Sequence, residues 1–221
     1  VAPVLEAHAT AAEGRLRGIR YLTARDESFR GGIAPPPPAQ IMGSPAFRQG
    51  YKQLQRFGLS YDAWLYHTQI DELTELARSF PDTQVILNHV GGALGVGAYA
   101  GKRQEVFPIW QAAIRRLAEC PNAFVKLGGL AMVVTGFAFH EQPLPPDSVA
   151  LLTAWQPYID TCIEAFGTNR CMFESNFPVD KAMCSYVALW NAFKRAAAGH
   201  SASDKAALFH DTAAKVYRLS R

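Results

Sequence analysis

Gln84-Val-Ile-Leu-Asn-His89 is an apolar run of strand length. It ends in two polar residues and breaks at once into Gly91-Gly92 and a glycine-rich stretch that reaches Pro108. Three more segments share this form: 61–67 (Tyr-Asp-Ala-Trp-Leu-Tyr-His), 123–129 (Ala-Phe-Val-Lys-Leu-Gly-Gly) and 171–176 (Cys-Met-Phe-Glu-Ser-Asn). A fifth, Gly18–Leu22, carries Arg20. Polar, chemistry-capable side chains therefore recur where strands stop, which is where active sites are built in α/β sheets and barrels.

Between these segments lie amphipathic stretches at helical spacing. Ser44-Pro45 supplies a cap and a first-turn proline for a helix with Phe47, Tyr51, Leu54 and Phe57 on one side, closed by Gly58. Ile70, Leu73, Leu76, Ala77 and Phe80 form the next stripe, ended by Pro81. A third helix is expected from about Ile109 to Cys120-Pro121, after a loop over 91–108. Asp147 or Ser148 caps a long helix in which Pro157 is expected to make a kink. Helices at about 184–198 and 202–217 close the chain. The prolines at 35–38 favour a stiff extended loop beside Gly31-Gly32.

Five strands, each followed by a helix, make an α/β chain. Consecutive units with no reversal point suit a (β/α)8 barrel of TIM type, which typically takes about 250 residues. With 221 residues and a start at Val1, the expectation is one domain over 1–221 that holds strands four to eight, with three N-terminal units missing. An open five-stranded sheet is the alternative. A partial barrel leaves its first and last strands with unpaired edges. The missing N-terminal half, or a second copy of the chain, is then the expected cover.

Hydrophobic residues make up 49% and charged residues 19%, which excludes a disordered chain. A net charge of +3, with Arg115-Arg116 the densest basic pair away from the tail, does not suggest a nucleic-acid partner. Cys120, Cys162, Cys171 and Cys184 show no CxxC spacing and read as free thiols in a reducing, cytoplasmic setting. No apolar stretch is long enough to span a bilayer, and residues 1–12 lack the form of a secretory signal. The expected partner is a small molecule, not a membrane.

His89 is the first candidate site residue, since a histidine there can polarise a carbonyl, ligate a metal or move a proton. By strand period it shares a face with Val85 and Leu87, and the glycines after it leave room for a ligand. His67 is similarly placed, with Trp64 and Tyr66 as possible pocket walls. Arg20 suits an anionic substrate, because its planar fork pairs with carboxylate. Lys126 sits within an apolar strand and needs a partner or a watered cleft. Glu174 and Asn176 end the last strand on one face; a structural Glu174 bonded to Lys126 or Arg20 is the competing reading. The 95–100 segment (Gly-Val-Gly-Ala-Tyr-Ala) fits a dinucleotide fingerprint only loosely and lacks the acidic strand end that motif needs. His8, His140, His200 and His210 read as surface or packing residues. No HxH, HExxH or GxSxG occurs.

Taken in order, Gly18-Ile-Arg20, Tyr61-Asp62, Asn88-His89-Val-Gly91-Gly92, Val125-Lys126-Leu127-Gly128-Gly129 and Ser175-Asn176-Phe177-Pro178 resemble the amidohydrolase family 2 group. These are TIM-barrel "predicted metal-dependent hydrolases" that include sugar-lactone and pyrone-dicarboxylate lactonases. The resemblance implies strands four to eight of the barrel. It places His89 on the family's site histidine of the sixth strand and Arg20 on an arginine that holds a substrate carboxylate in some lactonases. The family's HxH belongs to its first strand, outside this sequence. One departure matters: Asn176 stands where the family usually has an Asp that serves as base or metal ligand. Neutral Asn176 is neither a base nor a good ligand for a hard cation.

The reading from sequence is thus a lactone hydrolase. His89 polarises the carbonyl, Arg20 anchors an acid group, and Glu174 replaces the lost base. Otherwise Asn176 holds substrate and His89 or His67 is the base. Lys126 and Tyr66 line the substrate pocket, and loops 24–43, 91–108 and 130–147 form lid and walls. No cofactor is expected, with zinc possible in the complete protein. The rivals are a zinc-dependent decarboxylase of the same superfamily and a non-catalytic ligand-binding barrel.

Overall fold

Alternate positions along the strands go to opposite sides of one sheet, as the two-residue period requires. Tyr61, Ala63, Val85, Leu87, Val125, Leu127 and Phe173 join the large apolar core that the helices complete. Ile86, Phe124 and Met172 form a second cluster with Val216. The sheet is parallel, so both of its faces need this cover.

The computed structural model describes residues 1–28 and 35–219. Its elements run α1 (Ala2–Ala11), β1 (Gly18–Leu22), α2 (Pro45–Arg56), β2 (Ser60–Trp64), α3 (Ile70–Ser79), β3 (Val85–Leu87), α4 (Arg103–Ala118), β4 (Ala123–Leu127), α5 (Ser148–Phe166), β5 (Cys171–Phe173), α6 (Tyr186–Ala196), α7 (Ala202–Ala206) and α8 (Thr212–Val216). The strands lie in chain order, β1-β2-β3-β4-β5, and every pairing is parallel. This is the one-directional order of a barrel; a doubly wound sheet would reverse at a switch point. Register sets Arg20 beside Asp62 and Lys126 beside Met172.

Local sequence explains most element ends. Ser44 and Asp147 cap α2 and α5 by accepting from backbone amides, Phe47 N at 3.3 Å and Val149 N at 2.9 Å. Helix α4 corrects the expectation of a loop as far as 108. It starts at Arg103 and takes Pro108 inside. At the sixth helical position the proline leaves the Gln104 carbonyl without its intrahelical donor, a loss confined to the first turns of the helix. Helix α5 runs unbroken from Ser148 to Phe166 through Pro157. Strand β3 stops at Leu87, so His89 does not continue the face of Val85 and Leu87; it begins a turn with φ +56°. Gly31-Gly32, within the 24–43 loop, lies outside the described residues.

The C-terminal end does something the sequence did not announce. Helices α7 and α8 join through a π-helical stretch, Ala207–Asp211. Val216 then packs on Ile86, Phe124 and Met172. The Tyr217 hydroxyl donates to Asp62 Oδ1 at 2.8 Å, and Arg17 Nε donates to the Arg218 carbonyl at 3.3 Å. The segment thus crosses the inner face of the sheet from β5 to β1. Within the described residues no helix is long and apolar enough to cross a membrane. The four cysteines are buried and unpaired.

Candidate active site

The end of β3 turns sharply. His89 and Val90 have φ of +56° and +48°, a region that bulky and β-branched residues rarely adopt. Packing holds this turn: Val90 is buried, and Trp110 Nε1 donates to its carbonyl at 2.7 Å. The result aims the His89 ring across the sheet end. Its Nδ1 hydrogen-bonds Glu174 Oε1, its backbone N–H donates to the same oxygen at 3.2 Å, and its Nε2 lies 3.1 Å from Arg20 Nη2. Trp64 meets the ring edge-on at 4.8 Å between centroids.

This arrangement decides the tautomer. A guanidinium can only donate, so Nε2 must accept and carries the lone pair. The ring proton then sits on Nδ1 and is given to Glu174. His89 is thereby presented as a base, with Glu174 as its orienting partner.

The Lys-Leu-Gly-Gly sequence at the end of β4 makes this possible. A Cβ on Gly128 would lie 2.5 Å from Glu174 Cγ, and one on Gly129 would lie 2.5–2.7 Å from His89 ring and Cβ atoms. Only glycine lets β4 pass this close to the pair. By contrast, the space beside Gly91 and Gly92 is taken up by Ile70, Leu65 and Trp64. Those glycines serve packing, not the approach of a ligand.

Behind His89 lies a second charged group. Lys126 Nζ is 2.8 Å from Asp62 Oδ1 and 3.9 Å from Glu174 Oε2. Asp62 Oδ1 also accepts from Asn88 Nδ2 at 3.0 Å and from the Tyr217 hydroxyl. Asp62 is buried, and this donor set is what makes a carboxylate tolerable there. Burial, with Asp62 nearby, pushes the Tyr217 hydroxyl well above its ordinary pKa. Arg20, Asp62, Lys126 and Tyr217 line an open cleft of about 460 Å³ along β1.

The remaining candidates lie elsewhere. Asn176 is partly exposed just beyond β5, and its Nδ2 donates to Asp180 Oδ1 at 2.7 Å. His67 is outside the end of β2, which stops at Trp64. Its Nδ1 accepts from Leu94 N at 3.3 Å and its ring meets Tyr99, in a separate groove of about 990 Å³ that Asp26 and Tyr99 help to line. Burial lowers the pKa of His67, partly offset by Asp26. Tyr66 is buried against Trp64, Leu94 and Met132. The structure thus brings together Arg20, His89, Lys126 and Glu174, and sets His67 and Tyr66 apart from them. Sequence reasoning missed Asp62, Asp180 and Tyr217. Asp62 and Asp180 were visible as an acid within a strand and an acid just after the Asn-Phe-Pro turn; nothing local marks Tyr217.

As donors for a metal these side chains fit poorly. Nε2 of His89 faces a cation, and Asn176 offers only a neutral amide oxygen. Among the described residues no three His, Cys, Asp or Glu side chains are grouped to hold an ion. They do not by themselves make a zinc site.

The family model described as "Amidohydrolase" matches residues 1–219. The uncharacterized protein y4mH of Sinorhizobium fredii is 43% identical over 180 residues, 81% of this chain and 54% of its own. An L-fucono-1,5-lactonase of Burkholderia multivorans is 27% identical over 93% of this chain and 64% of its own. The chain therefore spans roughly half to two-thirds of the length of these relatives. An amidohydrolase of Burkholderia multivorans is similar in structure. With bound HEPES it superposes at TM-score 0.81, with 25% identity over 99% of this chain and 70% of that one. With bound zinc the values are 0.77, 26%, 97% and 70%.

Proposed function

Since the chain belongs to the amidohydrolase family, we propose that it is a hydrolase that opens a lactone, a small cyclic ester bearing a carboxylate or derived from a sugar. The observation that carries this reading is the line Arg20–His89–Glu174: a lone pair on Nε2, guarded by a guanidinium and backed by a carboxylate. The lactonase relative adds support.

In the free protein Arg20 occupies the Nε2 lone pair of His89. Arg20 is exposed and its side chain can move. A substrate carboxylate draws the guanidinium into a two-point pair and uncovers Nε2. Water then adds to the lactone carbonyl carbon while its proton passes to Nε2. The imidazolium that forms is stabilised by Glu174, as a carboxylate stabilises the histidine of a triad. The tetrahedral species collapses, the ring C–O bond breaks, and the proton on Nε2 goes to the leaving alkoxide. The product is a hydroxy acid. Lys126 pairs with Asp62 and lies near Glu174, and Asn176, two residues beyond Glu174, holds water or substrate.

This departs from the first set of roles expected from sequence at His89 and Glu174. Glu174 is engaged by His89, so His89 is the base and Glu174 its partner. We also propose that further βα units pair with the outer edge of β1 in the whole protein, where Tyr21 and Leu22 are exposed.

A pH-stat assay against sugar 1,5-lactones and carboxylated pyrone lactones tests the reading. Acid release above the spontaneous rate is expected for at least one of them. No release from any, together with one tightly held zinc per chain, would favour metal-dependent chemistry instead.

A further inference from the structure

We propose that Asp180 is a positioning residue for Asn176, and that the proton on Asp180 selects which end of the Asn176 amide is left free for water or substrate. The inference deepens the hydrolytic reading of the site and rests on it for its role in turnover.

The two residues are tied twice. Asn176 Nδ2 donates to Asp180 Oδ1 at 2.7 Å, and the Asp180 backbone N–H donates to the Asn176 carbonyl at 3.2 Å. Asn176 itself is held at φ +50°, so its side chain has a fixed origin. Asp180 is fully buried, 0% exposed; among the described residues its Oδ2 makes no hydrogen bond of good geometry, and the Ala131 backbone N–H is the one further donor near the carboxyl. An ionised carboxylate with one oxygen unsatisfied in an apolar site is costly, and a proton relieves that cost. Burial accordingly pushes the Asp180 carboxyl up to about 7, with the charge of Glu174 adding to the effect; the Asn176 amide and the Ala131 backbone oppose it.

The titratable and charged groups around it are few. Glu174 approaches from the end of β5, two residues before Asn176. Cys184 Sγ donates to the Asp180 carbonyl at 3.8 Å, and its thiol is raised to about 12 by burial and by Asp180. Lys181 follows in the same turn but is exposed. His140, also exposed, approaches Met183 Sδ at 3.1 Å from the loop after β4.

The hydrogen-bond chemistry then has two states. An ionised carboxylate only accepts, so it takes the NH₂ end of Asn176 and leaves Oδ1 free as an acceptor. A protonated Asp180 donates to Oδ1, and the amide leaves its NH₂ free instead. An acceptor there orients an attacking water by one of its protons; a donor does not. Asn176 thus acquires, through Asp180, a protonation-dependent role that its own neutral side chain lacks.

The test follows the Asn176 side-chain ¹⁵N–¹H₂ resonances and the Asp180 ¹³Cγ resonance from pH 5.5 to 8.5, in the isotopically labelled 221-residue chain with through-bond assignment. Both are expected to shift together with one midpoint near 7, and the Asn176 resonances should be flat with pH in Asp180→Asn. If that variant does not fold, the two wild-type curves decide alone. An Asp180 signal that does not titrate in this range overturns the proposal. So does an Asn176 side chain whose NH₂ protons keep the same NOE contacts on both sides of the midpoint, which is the result for a merely structural pair that titrates without exchanging its amide ends. Neither readout uses turnover, so failure to find a lactone substrate leaves the outcome legible.

Discussion

The guanidinium of Arg20 lies 3.1 Å from Nε2 of His89, a cation set against the lone pair of a base. The contact fixes the tautomer of His89, since Arg20 has nothing to accept with. It also makes Arg20 the group that an anionic substrate must displace before the base is free.

Arg20→Lys keeps the charge but loses the fork. It should raise KM for a carboxylated lactone by about tenfold or more, the cost of one charge-assisted hydrogen bond, with a smaller change in kcat. Steady-state kinetics separate the two effects. An equal fall in kcat with KM unchanged would place Arg20 on the transition state instead.

Much of this site was legible in the sequence, for physical reasons that can be named. The apolar run before His89, the Lys-Leu-Gly-Gly after β4 and the Glu-Ser-Asn after β5 are local signals, and β3, β4 and β5 start at or next to the positions expected. The direction of side chains past the strand ends was not legible. His67 and His89 look alike in sequence, but β2 stops three residues before His67 and β3 only two before His89. The backbone then turns, so strand period no longer tells where a ring points. Long-range pairs were hidden for a different reason. Tyr217 and Asp62 are 155 residues apart, and no local pattern records that they meet. Asp180 looked like an ordinary acid in a Pro-Val-Asp-Lys turn, and only its complete burial sets it apart.

Gly129→Ala should disable the site through sterics. The added Cβ would sit 2.5–2.7 Å from His89, at a backbone φ of +65°. Overpacking of this kind costs about 1–3 kcal/mol. Chemical denaturation should show that loss, and lactone hydrolysis should fall further than stability alone explains. Full activity in the variant would mean that the His89 ring sits elsewhere.

Lys126→Met should strand the Asp62 carboxylate among neutral donors. Removing one partner of a buried pair costs about 3–5 kcal/mol, and this partly exposed pair belongs at or below the low end of that range. Asp62→Asn in the same chain should restore part of the loss. Additive effects of the two substitutions in a double-mutant cycle would show that the contact is energetically idle.

Asp180 should make stability fall as pH rises. Its folded value of about 7 lies above the ordinary 3.8, so between these limits the folded chain keeps a proton that the unfolded chain has released. The contribution is whole below about pH 4, is lost through about pH 7 and is flat above. The span corresponds to about 4 kcal/mol. Denaturation of wild type and Asp180→Asn over pH 4.5–8.5 measures it: the stability of wild type relative to the variant should decline across this window. A constant difference would show that Asp180 folds with its charge already present.

The role of His89 as the base for lactone opening is read from kcat/KM for one hydrolysed lactone, measured in wild type and His89→Gln under the same conditions. General-base catalysis contributes about 10²–10⁴-fold, so His89→Gln should lose turnover on that scale while folding normally and still binding the hydroxy-acid product. A folded His89→Gln protein that hydrolyses the lactone at the wild-type rate would contradict the account.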